Sequence, residues 1–463
     1  MISLSFEELA NEVQGQLMSA DAAAPSFKGV AIDSRTIKRE ELFIAIRGER
    51  NDGHNFIEQA IAKGAAGVIA DNRFEQVKAL SQRTNVIVVD NTHEAMIQLA
   101  QNYRKKSKAK IIGITGSNGK TTTKEFTFAL LKAVEKNSYK SAGNLNNLFG
   151  APLALFSMPV ATKAAVIEMG ISTKGEMTRL TKLVQPDVAV ITNIGPSHLE
   201  FLSTVEDVAK AKLEMVTTSA LAIPLVINAD DELLMREAEK VHKKPVTFAI
   251  NKDADFRPSS IESTEYGSKV TIGKEIFTLE MFGRHAVYNL LAAYAAIKTL
   301  GYGFGKIDTL QIKLAPAPMR GEVLHKGGVK IINDSYNANP ESVKAGLEAF
   351  KSTPALGRRI LIIGDMLELG QRSEKFHREL GNSLAKYEFS FAIVVGDWCR
   401  AVLEGARQAG VSVSKLRSFK NADEAASGVG ELIKSGDVVY VKGSRGVHLE
   451  KIIDKIGTGG EDS

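Results

Sequence analysis

The sequence has little of what defines a disulfide-bonded, membrane-spanning or secreted protein. Its 463 residues include one cysteine, Cys399, which excludes an intramolecular disulfide and a cysteine-based zinc site. No apolar run reaches the roughly 18–20 residues that span a membrane. The beginning of the chain carries Glu7, Glu8 and Glu12 instead of a basic segment followed by an apolar one, so no signal peptide is predicted. We therefore expect a cytoplasmic protein.

A strong charge of either sign is also missing. The 59 Lys and Arg against 54 Asp and Glu give a net charge of +5, which suits small anionic substrates. Nucleic-acid binding needs a clustered basic face. The one basic cluster, residues 104–110, lacks aromatic residues, and we interpret it as a solvated linker. We expect no nucleic-acid partner and no membrane insertion.

A glycine-rich stretch carries the clearest chemistry. An apolar run, Ile111–Ile114, leads into Thr115-Gly116-Ser117-Asn118-Gly119-Lys120-Thr121-Thr122, and an amphipathic segment, 124–134, follows. This order predicts a strand, a loop and a helix whose N-terminus faces a phosphate. Lys120 can reach the β- and γ-phosphates, and the Thr121 hydroxyl can bind Mg²⁺. The predicted ATP-binding residues of this loop are Gly116, Ser117, Asn118, Gly119, Lys120, Thr121 and Thr122.

Two later strand ends carry candidate metal ligands. The apolar run 164–167 ends at Glu168, and a second apolar run, 188–192, leads into a polar loop that contains His198. In a parallel sheet the carboxyl ends of the strands meet at one edge, where Mg²⁺ ligands lie. We therefore predict that Glu168 and His198 bind metal near Thr121.

The length and the motifs indicate three domains, with boundaries at 1–108, 109–320 and 321–463. A Pro-rich boundary contains Arg320, which could clamp the γ-phosphate when the domains close. The third domain has four apolar runs that each end in a small or polar loop, which is typical of a doubly wound parallel sheet. No G-x-G-x-x-G follows its first strand, so a nicotinamide cofactor is not indicated.

The first domain alternates short strands and helices and has two polar loops, Asp33–Arg35 and Arg47–His54. Both follow predicted strands, where α/β domains place binding residues. Turns with helix caps explain the same pattern equally well. The pattern alone leaves both interpretations open.

Together these motifs resemble the Mur ligase family, in the same order along nearly the whole chain. T-G-x-x-G-K-T-T is similar to the short loop of Mur ligases and folylpolyglutamate synthetases, and D-S-R with F-x-A-x-x-G-E-x-x-D-G-H-x-F is similar to the first Mur domain. D-S-Y-N-A-N-P-E-S and G-D-M-x-E-L-G resemble the third domain of members that add D-alanyl-D-alanine; the D-N-P-R loop of members that add the preceding residue is missing. The resemblance implies an α/β fold of three domains, with a central P-loop parallel-sheet domain and a C-terminal doubly wound, Rossmann-like domain.

The resemblance also implies roles for individual residues. Ser34 and Arg35 are expected to contact the uridine and pyrophosphate of a UDP-sugar substrate, with Asp52 and His54 as further candidates. Asn144 and Asn147 are expected beside the muramoyl peptide. The nucleotide would be held by Asn289, Asp334, Asn339 and Arg320, with Asp334 on the ribose.

A second metal site follows from the same resemblance. The lysine that matches A-K-x-E is Lys212, which is carbamylated in the family and would hold a second Mg²⁺ with His198, while Thr121 and Glu168 hold the first. A neutral, partly desolvated amine can take up CO₂ and become an anionic oxygen ligand. One departure from the family pattern stands close by: Ala286 replaces the first asparagine of G-x-H-N-x-x-N, while Asn289 is kept.

The implied reaction is ATP-dependent amide ligation. ATP phosphorylates the terminal carboxylate of UDP-N-acetylmuramoyl-tripeptide, and the amine of D-alanyl-D-alanine attacks the acyl phosphate. The catalytic set would be Lys120, Glu168, His198, Lys212 and Arg320, with two Mg²⁺ ions, in a monomer whose domains close on the substrates. Two alternatives stay open: a related ligase that uses another amine or a folate, and a nucleotide-binding regulator that has lost turnover.

Overall fold

The structure is a computed structural model of the chain. It describes residues 2–19, 25–48, 51–219, 222–264, 266–305, 312–355 and 357–457. Positions 49 and 50 of the predicted polar loop 47–54 lie outside these ranges.

The first unit is a five-stranded sheet with helices against it. The sheet order is β2-β7-β6-β5-β4, in which only β2 is antiparallel to its neighbour, and β1 and β3 form a separate antiparallel pair. The elements are β1 (Ser3–Ser5), α1 (Phe6–Val13), β2 (Gln16–Met18), β3 (Ser26–Lys28), β4 (Val30–Ala31), β5 (Leu42–Ile44), α2 (Ile57–Ala62), β6 (Gly67–Asp71), α3 (Val77–Ser81), β7 (Asn85–Val89) and α4 (Thr92–Lys106).

The central unit contains a six-stranded, fully parallel sheet. Its order is β13-β12-β11-β8-β10-β9, so the chain moves first to one side of β8 and then to the other. The elements are β8 (Lys110–Thr115), α5 (Lys120–Val134), β9 (Ser138–Lys140), α6 (Gly150–Ser157), β10 (Ala164–Glu168), α7 (Glu176–Val184), β11 (Val188–Ile191), α8 (Leu199–Leu202), α9 (Val205–Thr217), β12 (Leu225–Asn228), α10 (Glu232–Glu239) and β13 (Val246–Phe248). Ligands bind where the strand order reverses in such sheets, which here is the carboxyl end of β8.

A small four-stranded sheet and a buried helix complete this unit. The sheet order is β14-β15-β16-β17, and α11 packs against the P-loop helix α5 and shares one apolar cluster with this sheet. The elements are β14 (Ser260–Ser263), β15 (Ser268–Ile272), β16 (Glu275–Leu279), α11 (Arg284–Thr299) and β17 (Lys313–Leu314). Ala286 is fully buried on α11 within that cluster.

The third unit has a six-stranded sheet of order β18-β19-β23-β20-β21-β22. The five strands after β18 are parallel, and β18 joins β19 in a hairpin whose turn, Gly327 and Gly328, has positive φ at both residues. The elements are β18 (Glu322–Lys326), β19 (Val329–Asp334), α12 (Pro340–Ser352), β20 (Arg359–Gly364), α13 (Ser373–Leu384), β21 (Phe391–Val395), α14 (Cys399–Gln408), β22 (Leu416–Phe419), α15 (Ala422–Leu432), β23 (Val438–Lys442) and α16 (Glu450–Lys455).

The predicted fold class is confirmed, with two local corrections. The helix after the glycine-rich loop begins at Lys120, one turn earlier than the amphipathic pattern starts, because three buried threonines continue it toward the loop. The interpretation of residues 104–110 as a solvated linker is wrong at both ends, because α4 runs to Lys106 and β8 begins at Lys110. It is most clearly wrong at Arg104. This residue lies in the last turn of α4, is buried, and donates from Nε to the Val184 carbonyl at 2.8 Å and from Nη2 to the Gln185 carbonyl at 3.0 Å.

Arg104 therefore fastens the last helix of the first unit to the end of α7 in the central unit.

Within the described residues, none of the helices combines the length and apolar character that crossing a membrane requires.

Candidate active site

The glycine-rich loop joins β8 to α5 at the carboxyl edge of the central sheet. Gly116 and Gly119 have φ of +148° and +78°. A Cβ at Gly116 would lie 1.8 Å from Thr192 Oγ1, and one at Gly119 would lie 2.3 Å from Asn289 Oδ1. Both the backbone conformation and the close neighbours therefore require glycine at these positions.

Hydrogen bonds from the end of β11 fix the shape of this loop. The Ser117 amide donates to the Asn193 carbonyl and the Asn118 amide donates to Asn193 Oδ1, both at 2.9 Å. Ser117 Oγ donates to the Gly195 carbonyl at 3.0 Å. The first turn of α5, whose backbone N–H groups have no partner within the helix, then points into the space above the sheet.

Lys120 lies in this first turn and folds back over the loop. Its Nζ donates to the carbonyls of Gly116 at 2.7 Å and Ser117 at 3.2 Å. Burial lowers the pKa of Lys120, while the charge of Glu168 raises it and that of Arg320 lowers it. The ammonium, the carboxylate and the guanidinium are thus close enough to influence one another.

Thr121 and Glu168 meet at the tips of α5 and β10. Thr121 Oγ1 donates to Glu168 Oε2 at 2.9 Å, and Asn146 Nδ2 donates to Glu168 Oε1 at 2.8 Å. The Glu168 amide donates to Ser141 Oγ at 3.2 Å. A buried carboxylate beside a hydroxyl, at the edge of a phosphate-binding loop, fits Mg²⁺, which takes one or two protein oxygens and completes its shell with water and phosphate.

His198 and Lys212 do not form a Mg²⁺ site as they stand. Burial lowers the pKa of His198 to about 4, with Lys120 and Lys212 adding to the effect, so the imidazole is neutral at pH 7. Burial also lowers the pKa of Lys212 well below its usual range, and Lys120 lowers it further. Neither side chain supplies the anionic oxygen that Mg²⁺ prefers, so the pair fits a second ion only if Lys212 carries a carboxylate.

The surroundings of His198 agree with this. Within the described ranges, no group of three or more His, Cys, Asp or Glu is placed to hold a metal ion. His198 immediately precedes α8 and has a left-handed φ of +52°, and its Nδ1 lies 3.5 Å from Glu368 Oε2 of the third unit.

Arg320 lies at the boundary between the central and third units. Its guanidinium carbon is 3.9 Å from the centre of the Tyr336 ring, a cation–π distance. Asp334, the predicted ribose ligand, ends β19, and its Oδ2 accepts hydrogen bonds from Lys442 Nζ at 2.8 Å and Tyr440 OH at 3.1 Å.

The two predicted nucleotide-binding asparagines both contact the glycine-rich loop and its helix. Asn289 Oδ1 accepts a hydrogen bond from Thr123 Oγ1 at 3.2 Å. Asn339 Nδ2 donates to Asn118 Oδ1 at 2.7 Å, while Asn339 Oδ1 caps α12 by accepting from the Ser342 amide at 2.8 Å.

The predicted UDP-sugar contacts lie in the first unit, and most of them have partners there. Ser34 Oγ donates to Gln59 Oε1 at 2.6 Å. His54 is buried, with Nδ1 on Asp52 Oδ1 at 2.6 Å and Nε2 accepting the Asp71 amide at 3.0 Å. These bonds explain the positions of the Ser34 and His54 side chains without a bound substrate. Arg35 is different, because its side chain is 82% exposed and its guanidinium pairs with Asp33, two residues away.

The two asparagines predicted near the peptide substrate are both exposed, and they differ in their hydrogen bonds. Asn147 has a structural role, since its Oδ1 accepts the amides of Phe149 and Gly150 at the start of α6. Asn144 is exposed.

A cavity of about 930 Å³ lies between the central and third units and brings most predicted residues together. The predicted residues that line it are Ser117, Asn118, Gly119, Lys120, Thr121, Thr122, Asn144, Asn147, Glu168, His198, Asn289, Arg320, Asp334 and Asn339. The lining does not include Gly116 and Lys212, which are buried, or Ser34, Arg35, Asp52 and His54 of the first unit.

Sequence reasoning missed several residues of this cavity. Asn146 holds Glu168, Tyr336 supports Arg320, and Lys442 pairs with Asp334. Asn146 stands in the asparagine-rich loop 143–150, between the predicted residues Asn144 and Asn147, so the composition of this loop pointed to it. Tyr336 stands in the D-S-Y-N-A-N-P-E-S motif, but its contact with Arg320 does not follow from that motif. Lys442 becomes recognisable only when β19 and β23 are placed side by side.

The fold and this loop define a P-loop α/β protein. Models of the Mur ligase family, catalytic domain, of the Mur ligase middle domain and of the Mur ligase, glutamate ligase domain match residues 26–104, 114–297 and 319–445. A UDP-N-acetylmuramoyl-tripeptide–D-alanyl-D-alanine ligase of Bacillus subtilis is 35% identical over 456 residues, which cover 98% of each chain. The chain belongs to the Mur ligase family.

Solved structures agree with this assignment. A crystal structure of MurF from Acinetobacter baumannii superposes with a TM-score of 0.86 at 28% identity and covers 99% of both chains. A MurF ligase from Thermotoga maritima in complex with ADP gives a TM-score of 0.79 at 28% identity and covers 93% of this chain and 97% of that one.

Proposed function

We propose that the protein joins D-alanyl-D-alanine to UDP-N-acetylmuramoyl-tripeptide in an ATP-dependent reaction that gives the pentapeptide precursor of peptidoglycan. The observation that carries the proposal is the 35% identity to a ligase with this activity over 98% of both chains. The cavity beside the P-loop supplies a place for the chemistry.

The reaction must activate a carboxylate, because carboxylates do not react with amines at neutral pH. An oxygen of the terminal carboxylate attacks the γ-phosphorus of ATP, which forms an acyl phosphate and releases ADP. The amine of D-alanyl-D-alanine then attacks the acyl carbon, loses a proton, and expels inorganic phosphate. Closure of the units around the cavity excludes water, which would hydrolyse the acyl phosphate.

The residues of the cavity suit these steps. Lys120 can exchange its two loop carbonyls for phosphate oxygens and neutralise the charge on the transferring group. Arg320 can supply a second positive charge from the boundary with the third unit. The first turn of α5 contributes backbone N–H donors.

Mg²⁺ is part of the proposal. Thr121 and Glu168 would hold one ion, which neutralises charge on the phosphates when it is bound. Carbamylated Lys212 with His198 would hold a second. The buried environment of Lys212, together with the positive charge of Lys120, favours the neutral amine that carbamylation needs.

We further propose that the three units act as domains, 1–108 for the UDP-sugar peptide, 109–320 for the phosphates and 321–463 for the nucleotide and the incoming dipeptide. Arg35 is the strongest candidate for an anion contact in the first domain because its guanidinium is exposed. We also propose that the protein is a monomer, which gel filtration tests, and that it is cytoplasmic, which cell fractionation tests.

The decisive experiment measures phosphate release from ATP and Mg²⁺ with UDP-N-acetylmuramoyl-tripeptide, with and without D-alanyl-D-alanine. We expect release that needs both substrates and falls by roughly 100-fold or more in Lys120→Ala. The matched control is Lys110→Ala, at the other end of β8, where the lysine is exposed and pairs with Asp187. ATP binding without release in the presence of both substrates would contradict the ligase and indicate a nucleotide-binding regulator.

A further inference from the structure

One further lysine is buried beside the candidate site and has no part in the reaction described above. Lys124 stands one turn after Thr121 on α5, and its side chain is fully buried. Taking an ammonium out of water is strongly unfavourable unless charged and polar partners surround it. The neighbours of its Nζ therefore indicate why it is there.

Those neighbours belong to the proposed metal site and to the asparagine-rich loop. Lys124 Nζ donates to the Gly143 carbonyl at 2.8 Å and lies 3.5 Å from Glu168 Oε2. Glu125 Oε1 is 3.7 Å away, and Glu125 also pairs with Lys140. The cluster holds two lysines and two glutamates, so its formal charges cancel.

We propose that Lys124 is a positioning residue that serves as the resident counter-charge of Glu168 and ties this carboxylate to the loop that begins at Gly143. The proposal rests on the proposed function in one respect only, which is that Glu168 is taken as a Mg²⁺ ligand. Lys124 places a positive charge beside the buried carboxylate and holds it toward the cavity before a cation arrives.

Two other roles for Lys124 fit the geometry less well. A direct contact with the substrate would place its side chain at the cavity wall, and Lys124 is not among the residues that line the cavity. A purely apolar packing role would leave Nζ remote from charge, whereas it lies beside two carboxylates.

The counter-charge role has a consequence that a packing role lacks. Without Lys124, the buried Glu168 carboxylate keeps its hydrogen bonds from the neutral donors Thr121 and Asn146, and its remaining positive neighbour is Lys120, which bonds to its own loop. Mg²⁺ then supplies the positive charge that Lys124 no longer provides. The stability of the nucleotide-free protein should therefore depend on Mg²⁺ in a variant without Lys124, and should depend on it much less in the wild type.

The test is thermal unfolding of the full-length, nucleotide-free protein in EDTA and in excess MgCl₂, for wild type, Lys124→Met, Glu168→Gln and the double variant. In EDTA we expect Lys124→Met to lower Tm by about 5 °C or more, and MgCl₂ to restore part of the loss. The double variant should unfold at a higher temperature than Lys124→Met and should not respond to MgCl₂, because no unpaired charge remains. Lys140→Met, which removes the other lysine of the cluster, is the control and should show no response to MgCl₂.

Each contrary result has a clear meaning. A loss of Tm that is equal in EDTA and MgCl₂ and is not relieved by Glu168→Gln would show that Lys124 only packs. An unchanged Tm with a raised KM for the UDP-sugar peptide would show direct substrate contact. If Lys124→Met does not fold, a folded double variant supports the pairing, and a double variant that also fails overturns it. None of the unfolding measurements needs turnover, so failure of the ligase assay would be a separate result.

Discussion

Asn339 Nδ2 donates a hydrogen bond to Asn118 Oδ1 at 2.7 Å, and this contact joins the first helix of the third unit directly to the P-loop. The same Asn339 side chain caps α12 through its oxygen. One residue therefore sets the start of a helix in one unit and holds the phosphate-binding loop of another. A nucleotide bound in the cavity would be in reach of both.

Asn339→Ser separates these two roles. Serine is as good a helix cap as asparagine but is too short to reach Asn118. We expect the thermal stability to change little and the affinity for ADP to fall about fivefold, which corresponds to about 1 kcal/mol for one hydrogen bond. Isothermal titration calorimetry measures the affinity. Asn421→Ser, at the cap of α15, is the matched control and should leave ADP binding unchanged.

Tyr336 supports Arg320 through its ring and not through its hydroxyl. Tyr336→Phe keeps the ring, so kcat/KM for ATP should stay within about twofold. Tyr336→Leu removes the cation–π contact, which is worth about 1 kcal/mol, and should lower kcat/KM roughly fivefold. Steady-state kinetics at saturating acceptor distinguish the two variants. Equal losses in both would show that the hydroxyl is what matters.

Lys212 should react with CO₂ where an exposed lysine does not. Its lowered pKa leaves a larger neutral fraction at about pH 7 to 8, and the neutral amine is the reactive form. With ¹³C-labelled bicarbonate we expect a carbamate carbon signal in the wild type that is missing in Lys212→Arg. Lys210→Arg, two residues earlier on the exposed side of α9, should keep the signal. A signal that persists in Lys212→Arg would place the carbamate elsewhere.

Cys399 should be a slow thiol. Burial, with a contribution from the charge of Asp365, raises its pKa from 9.0 to about 11. A raised pKa means less thiolate at neutral pH, so the folded protein should react with a disulfide reagent about 100-fold more slowly at pH 8 than the unfolded chain. The folded rate should keep rising with pH toward the raised pKa. Cys399 is the one cysteine of the sequence, so the chromophore released from the disulfide reagent reports its reaction alone. Equal rates in the folded and unfolded protein would contradict the prediction.

Local motifs predicted the elements that carry the chemistry. The glycine-rich loop, the strand that ends at Glu168 and the loop before His198 are each defined by a few consecutive residues, and parallel strands then bring their ends together. This is why the position of the cavity on the central sheet could be predicted without coordinates.

Long-range pairing set the limits of prediction. Arg104 belongs to a basic run that is typical of a solvated linker, and its burial follows from a helix end about 80 residues away in sequence. His54 is held by Asp52 in its own turn and by the Asp71 amide, which comes from the next strand. The burial of Lys124 could not be predicted locally, because Gly143 and Glu168, which its Nζ approaches, lie on other elements.

The two hydrogen bonds of Lys120 to the carbonyls of its own loop bear on which anions the site retains. Two of the three N–H donors of Nζ are already used, so a ligand has one donor open to it and must displace a loop carbonyl for each further bond. Inorganic phosphate, with few further contacts, recovers little beyond what it displaces, whereas a nucleotide adds contacts along its whole length. The loop therefore favours exit of the small leaving anion and weak product inhibition by phosphate.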